Sequence, residues 1–452
     1  MPSRRAFLSS TASAALLKKS QAPARPNIVI IIADQVRYDA VSAYGHNPID
    51  LTPNIDAMAQ AGTLYRHAFV TQPVCSPSRA SMFTGQYPAR HGVWRNTHDG
   101  VALNPSTPTI ATELTKVGYS ANYIGKWHLA DGPQGPVAAS ARGGFLGLWE
   151  ASNLLEMTSH PYEGELYDGD GRPIPFKDVY RVDFMTGRAK RFLNSASANS
   201  PFLLVVSFLE PHHQNDMGRM VAPKGMAERF KNPPISPDLR SFKGDFQEQL
   251  PDYLGCIKSI DDAVGEINRT LAERNLADNT IVVFLSDHGC HFKTRNDEYK
   301  RSAHDASIRI PFIINGPGFS GGREIQDFTS TVDLMPTLLR AADAPIPSSC
   351  QISTHHNEIF VQMSEFWTAR ALRTPEFTYV CAVPGRAHLP NSPSYTAFQL
   401  YDNRADPHQL LNLCGHKEMV DVEAKLRARL LARMAEAGDP PAEILPCAFP
   451  YS

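Results

Sequence analysis

Asn27-Ile-Val-Ile-Ile-Ile-Ala-Asp34 decides the class of fold. Five β-branched residues in succession, Ile28 to Ile32, lack the alternation of a half-exposed strand and predict a parallel strand buried on both faces. The runs Phe202-Leu-Leu-Val-Val-Ser-Phe-Leu209 and Ile281-Val-Val-Phe-Leu285 repeat the pattern, and residues 119–124 and 310–316 read as further strands. Helices are expected between them. One covers 52–62, capped at Thr52 and ended by Gly62; another covers 76–85, with Pro77 tolerated in the first turn. Others follow at 109–117, 253–275 and 333–342. This alternation is that of an α/β sheet flanked by helices.

Outside this core the organisation is simpler. Pro345-Ile-Pro347 marks a boundary, beyond which 359–363, 377–383 and 395–401 read as short strands. Residues 420–437 form an amphipathic helix whose Leu and Met spacing is that of core packing rather than of a partner interface. The expected division is therefore a leader over residues 1–25, a main domain over 26–345 and a smaller C-terminal α+β domain over 346–452. The connection between the Phe202 and Ile281 strands runs to about seventy residues, too long for a simple crossover. It is expected to form a substrate-facing insert.

Composition limits the function. The 452 residues are 42% hydrophobic and 20% charged with a net charge of −2, which excludes bulk disorder and leaves no basic excess for nucleic acid. No stretch approaches the run of about 18 apolar residues that a spanning helix needs. Cys75, Cys256, Cys290, Cys350, Cys381, Cys414 and Cys447 are scattered without CxxC spacing, which speaks against a zinc ribbon or a dense disulfide scaffold. At the N-terminus, Ser3-Arg4-Arg5-Ala6-Phe7-Leu8 resembles a twin-arginine export signal, which implies the bacterial periplasm. A basic tail is the competing reading, because the following apolar run is short and meets Lys18-Lys19.

Four predicted strands each end in polar residues: Asp34-Gln35, Lys126-Trp127-His128, Glu210-Pro211-His212-His213 and Ser286-Asp287-His288. Taken singly, Asp34 also reads as a helix cap, Asp287-His288 as a turn, and Lys126 or His128 as ordinary satisfied side chains. Ligands of α/β sheets bind beyond the carboxyl ends of the strands, where all four clusters fall. Together they offer carboxylate, amide and imidazole ligands for a hard divalent cation, ringed by cations suited to a tetrahedral oxyanion. A fifth stretch, Cys75-Ser76-Pro77-Ser78-Arg79-Ala80-Ser81-Met82-Phe83-Thr84-Gly85, puts a thiol at a helix N-terminus with an arginine one turn along. Dipole and guanidinium both favour an anion there. A reactive cysteine is expected, against the plainer reading of a buried structural one.

This stretch resembles the type I sulfatase signature, Cys-x-Pro-Ser-Arg followed by Thr-Gly, whose cysteine is oxidised to formylglycine. The resemblance extends through Gly125-Lys-Trp-His-Leu129, Ser286-Asp-His-Gly289, Ile308-Arg-Ile-Pro311, Leu400-Tyr-Asp402, Asp406-Pro407 and Asn412-Leu413. It implies the alkaline-phosphatase-like sandwich, a large mixed sheet between helices with a smaller C-terminal antiparallel sheet. It also implies hydrolysis of sulfate monoesters by a hydrated formylglycine at Cys75, one hydroxyl attacking sulfur and the second providing the exit. A maturing formylglycine-generating enzyme is implied with it. By the same match Asp34, Gln35, Asp287 and His288 hold one Ca2+ together with modified Cys75. Arg79 stabilises the nucleophile, Lys126 and His128 flank it, and His212 and Lys300 bind sulfate and assist the leaving oxygen.

Three positions depart from the pattern or compete within it. Gln35 stands where many relatives carry a second Asp, Arg301 competes with Lys300, and His213 competes with His212. Arg95, Asn96, His98, His213, Asn215, Asp216, Arg219 and Arg295 lie outside the shared machinery. As substrate contacts they suit the hydroxyls and sulfates of a sugar better than an apolar group, although each also reads as a solvated loop residue. Two alternatives stand beside a carbohydrate sulfatase. One is a phosphonate monoester or phosphodiester hydrolase of the same superfamily, and the other a catalytically silent carbohydrate-binding relative.

Overall fold

The first strand, β1 (Asn27–Asp34), is buried at all eight positions. Ile28, Ile30 and Ile32 enter one hydrophobic cluster and Val29, Ile31 and Ala33 another, because successive side chains leave a strand on opposite faces. Each fully buried Ile or Val contributes about 1.5–3 kcal/mol over an exposed one, so a single charge in this run would be severely disruptive. The computed structural model describes residues 25–447 except 46, 48, 198, 199, 356 and 386. The expected leader therefore lies outside the described residues apart from Arg25.

Following β1 in chain order are α1 (Pro53–Ala61), β2 (Thr63–Phe69), α2 (Cys75–Thr84), β3 (Ser120–Lys126) and β4 (Trp149–Ser152). Next come β5 (Phe202–Pro211), α3 (Phe246–Glu273), β6 (Thr280–Ser286) and β7 (Phe312–Asn315). Strands β6, β1, β5 and β3 lie side by side and are all parallel, with β4 continuing the row. Their carboxyl ends therefore share one edge. β7 runs antiparallel to β6 and β2 antiparallel to β7, so the twelve-stranded sheet is mixed.

Helices cover both faces. Ala80, Met82 and Phe83 of α2 pack into the cluster that holds Ile28 and Ile30, whereas Ile55 and Met58 of α1 and Tyr253 and Ile260 of α3 pack into the other. The expected cap of α1 is not made by Thr52, whose hydroxyl turns to Asp56. Asp261 of α3 accepts the free Asn54 and Ile55 N–H groups instead, at 2.9 Å each. A tertiary partner thus does the work of a local cap.

That helix also corrects the expected insert. α3 begins seven residues before the expected start, runs through Pro251 and buries one side against the sheet. The helical part of the long connection is therefore core. Four further elements without a clear sequence signal are the strands Glu163–Tyr167, Pro173–Lys177 and Arg323–Ser330 and the helix Arg181–Ser195. The strands are polar or proline-bearing and lie mostly at edges, so they carry few apolar residues.

The second sheet holds β8 (Ile359–Met363), β9 (Ala369–Arg373), β10 (Phe377–Ala382), β11 (Ser394–Asp402) and, after α4 (Val420–Ala437), β12 (Glu443–Leu445). Its first four strands are antiparallel as expected, whereas β12 joins parallel to β11. Ile359, Val361, Met363 and Ala371 pack into the main core, and Phe360, Leu372 and Tyr379 pack with Leu426, Leu430 and Met434 of α4. The sheet is thereby clamped between the large body and its own helix.

Candidate active site

Strand ends supply the polar groups. β1 ends in Asp34, and Gln35 follows at φ 78°; β3 ends in Lys126, with His128 two residues on at φ 57°. β5 leads into His212, and β6 into Asp287 and His288. Left-handed backbone is unfavourable for residues other than glycine, costing of the order of 1 kcal/mol or more, so the packing around Gln35 and His128 must impose it. Helix α2 completes the set by starting at Cys75, which places the positive end of its dipole there.

Cys75 Sγ is the centre. It lies 3.0 Å from Lys300 Nζ, 3.4 Å from His288 Nε2, 3.7 Å from Asp34 Oδ1 and 3.8 Å from Lys126 Nζ. Burial alone would push the thiol up, but the ammonium groups of Lys126 and Lys300 outweigh it and hold the thiol well below its ordinary value. Arg79 spans the floor: Nε donates to Asp287 at 3.0 Å, Nη2 to Asp34 at 3.3 Å, and Nη1 to Ser207 Oγ at 2.6 Å and Lys126 O at 3.1 Å. Lys126 Nζ pairs with Asp34 at 2.8 Å.

Burial and Cys75 raise the Asp34 carboxyl, yet the charges of Lys126, His212 and Lys300 prevail and hold it well below the usual range. Asp287 is pushed up by burial and by Asp34. The Nδ1 of His288 lies 2.9 Å from Gly289 O. A carbonyl only accepts, so Nδ1 carries the proton and Nε2 keeps its lone pair toward Cys75. In His212 too Nδ1 faces a carbonyl, His213 O at 2.7 Å, so Nδ1 donates there and Nε2 is left for other partners. Of the ten expected site residues His212 is the most exposed, at 8%, and Asp34, Gln35, Arg79, Lys126, Asp287 and His288 are sealed.

Ligand atoms of Asp34, Cys75, Asp287 and His288 all lie within 4.8 Å of one another. Gln35 Oε1 is buried without a hydrogen-bond partner, while its amide nitrogen faces Cys290 Sγ at 3.4 Å. Two carboxylates, an imidazole lone pair and an orphaned amide oxygen fit a divalent cation.

The sulfatase family model matches residues 26–344, which include every one of these groups. The chain belongs to the sulfatase family. Membership makes it a sulfuric ester hydrolase of the alkaline-phosphatase-like superfamily. It is 30% identical to an ulvan-active sulfatase of Formosa agariphila over 94% of this chain and 84% of that one. It is 23% identical to an N-acetylglucosamine-6-O-sulfatase of Bacteroides thetaiotaomicron, over 89% of this chain and 85% of the relative. The fold is also shared with the phosphonate monoester hydrolase of Agrobacterium radiobacter, with a TM-score of 0.69 at 22% identity, covering 91% of this chain and 96% of that one.

Within this sulfatase the competing positions separate. Lys300 rather than Arg301 reaches Cys75, and Arg301, at φ 64°, pairs with Glu298 and Glu365. His213 stacks between His212, 4.4 Å away, and Tyr299, 4.6 Å away, and burial drives its imidazole down to about 2. The expected substrate residues scatter. Arg95 lies over Trp94 with Nη2 3.4 Å from His98 O, exposed His98 pairs with Asp99, and Asp216 pairs with His160 at 2.7 Å. Arg295 is committed elsewhere: its guanidinium donates to the His408 and Gln409 carbonyls at 2.8 Å and lies over Phe242. That ties the second sheet's β11–α4 connection to the main body.

Two acids at the site were missed in the sequence. Glu156 pairs with Lys126 at 3.0 Å, and Glu365 reaches in from the connection between β8 and β9. Neither sits at a strand end or in a recognisable motif, so only the tertiary placement reveals them.

Proposed function

We propose that this sulfatase hydrolyses sulfate monoesters of a carbohydrate, with Cys75 converted to formylglycine and Ca2+ held by Asp34, Gln35, Asp287 and His288. The observation that carries the reading is Cys75 Sγ, set within 4 Å of Lys126, Lys300, His288 and Asp34 at a helix N-terminus. In the mature protein that sulfur position belongs to the oxygens of a hydrated aldehyde. Formylglycine supplies the nucleophile toward sulfur, and the cation supplies charge for the sulfate oxygens.

The chain's own residues do the rest. Arg79 holds Asp34 and Asp287 in place and presents positive charge beneath the nucleophile. Lys126 and Lys300 receive the sulfate oxygens, and His128 removes the proton from the second hydroxyl. His212, with Nδ1 fixed on His213 O, has Nε2 available to protonate the leaving alcohol. The Formosa agariphila and Bacteroides thetaiotaomicron relatives are named for carbohydrate substrates, which supports a sulfated sugar here. Export to the periplasm, read from Ser3 to Leu8 alone, accompanies this proposal, as does a formylglycine-generating enzyme as maturation partner.

The test is the mass of the peptide spanning Cys75, from protein made beside a formylglycine-generating system, followed by sulfate release from sulfated sugars. An aldehyde with release upholds the reading, and an unmodified thiol in that setting removes it. A second reading, phosphonate monoester or phosphodiester hydrolysis, is favoured by the shared fold of the Agrobacterium radiobacter enzyme and by neutral Gln35 beside Asp34. The singly charged phosphate diester resembles a sulfate monoester, so kcat/KM on paired esters with one leaving group decides between them. A silent binding relative predicts no release from either.

A further inference from the structure

Glu156 lies behind the site on the short helix Leu155–Thr158. Its Oε1 stands 3.0 Å from Lys126 Nζ, with the Glu156 side chain 5% exposed and the lysine sealed. Lys126 is therefore shared by two carboxylates, because Asp34 holds it at 2.8 Å. The second oxygen, Oε2, is buried and has no protein hydrogen-bond partner. Burial would raise this carboxyl, but the charges of Lys126, His128 and His212 outweigh it and hold the group at about 2.

The backbone around Glu156 is anchored as well. Gln214 Nε2 donates to Glu156 O at 2.8 Å and to Ser159 O at 2.9 Å. Gln214 follows His212 by two residues and accepts from Arg181, which pairs with Glu210 at 2.8 Å. One framework thus fixes Glu156 and the His212 segment together.

A buried anion beside an oxyanion pocket opposes the binding of sulfate, since like charges a few ångströms apart repel by an amount that grows as water is excluded. Such a group weakens ground-state binding and needs a compensating role. The geometry provides one. Asp34 is also expected to face the cation, and a lysine with that single partner would be free to settle on it. A second carboxylate gives Lys126 a fixed position 3.8 Å from Cys75 Sγ.

We propose that Glu156 is a positioning residue that holds the Lys126 ammonium for the transferring sulfate, at the cost of weaker resting affinity for the anion. The proposal rests on the hydrolase reading above for its kinetic arm alone. It predicts effects of opposite sign, which a merely structural carboxylate would not produce.

The test uses full-length protein, with inorganic sulfate as the binding probe in calorimetry and a sulfate ester for turnover. Glu156→Gln is expected to bind sulfate roughly 3–10-fold more tightly through loss of the repelling charge. The same variant should lose about 10-fold or more in kcat, because a misplaced contact acts in the transition state. Glu156→Asp should recover part of the turnover. Sulfate affinity that is unchanged, or that falls together with the unfolding midpoint, overturns the proposal, as does turnover within about threefold of wild type. Wild-type protein that binds sulfate but cleaves no sulfate ester removes the hydrolase reading. The direction of the Glu156→Gln affinity change then decides the role of Glu156 by itself.

Discussion

Glu365, carried between β8 and β9 of the second sheet, pairs with Arg301 and accepts the Asn96 N–H at 2.8 Å. Asn96 Oδ1 in turn accepts the Ser76 N–H at 3.3 Å. One carboxylate from the smaller sheet therefore braces the neighbour of Lys300 and the neighbour of Cys75. The smaller sheet thereby helps to set the distance between Lys300 and Cys75.

Removing that brace should be costly. Glu365→Ala leaves Arg301 buried without its main counter-charge, which costs about 3–5 kcal/mol where a buried pair is broken on one side. The expected outcome is a lower unfolding midpoint together with a fall of about 10-fold or more in kcat/KM, the usual scale for small misplacements of reacting groups. Glu365→Gln keeps the Asn96 contact and should retain more of both. Midpoint and kcat/KM measured on the same preparations check this, and full activity in Glu365→Ala would refute the bracing role.

Metal dependence should be visible without turnover. Asp34 and Asp287 are buried together, and the second is pushed up partly by the first, so a cation bound there stabilises the fold by binding only the native state. Chelation is expected to lower the unfolding midpoint by several degrees, with Ca2+ restoring it. Gln35→Ala removes the orphaned Oε1 and should weaken that restoration. Thermal melts with and without chelator measure it, and identical curves for wild-type protein in both conditions would contradict a bound cation.

His212 is predicted to matter through the leaving group. With Nδ1 committed to His213 O, the proton that His212 can give a leaving group sits on Nε2. His212→Ala should slow alkyl sulfates, whose alkoxides leave poorly, by about 10²–10⁴-fold, the range of general acid catalysis. Aryl sulfates with acidic phenols should suffer far less. A series of esters of rising leaving-group pKa, measured on both proteins, gives the comparison, and equal losses across the series would exclude the acid role.

Legibility in the sequence followed the physics of each element. Buried parallel strands announce themselves, because every residue of β1, β5 and β6 is buried and each carries a run of at least five apolar residues. Once those strands are parallel, their carboxyl ends must gather Asp34, His212 and Asp287 at one edge. Glu156 and Glu365 were hidden for the converse reason. Each becomes functional only through contacts distant in the chain, Glu156 with Lys126 and Glu365 with Asn96. Arg295 misled in the same way, since a charged loop residue looks equally available whether it meets substrate or backbone carbonyls. Residues Glu163–Tyr167 and Pro173–Lys177 pair as strands on a weak signal, Leu166 in the first and Ile174 with Phe176 between prolines in the second, so tertiary context overrode propensity there.

Acid should unfold this protein through its buried imidazoles. His91 is sealed, and its Nδ1 accepts the Val93 N–H at 3.1 Å, so Nε2 holds the proton and faces Ser81 Oγ at 3.0 Å. Burial drives its pKa down to about 3, and burial likewise takes His291 down to about 4. An unfolded histidine titrates near its ordinary value of about 6.5. Between that value and the folded ones the unfolded chain binds more protons, so stability is complete above about pH 6.5 and is lost as the pH falls. Each such group costs about 1.4 kcal/mol per pH unit across its window. Denaturant midpoints measured from pH 7.5 downward should therefore decline steadily below about pH 6.5. His91→Gln, which cannot take up a proton, should flatten the slope by about one proton even where it lowers the starting stability. A profile with the same slope in both proteins would show that His91 does not titrate on unfolding.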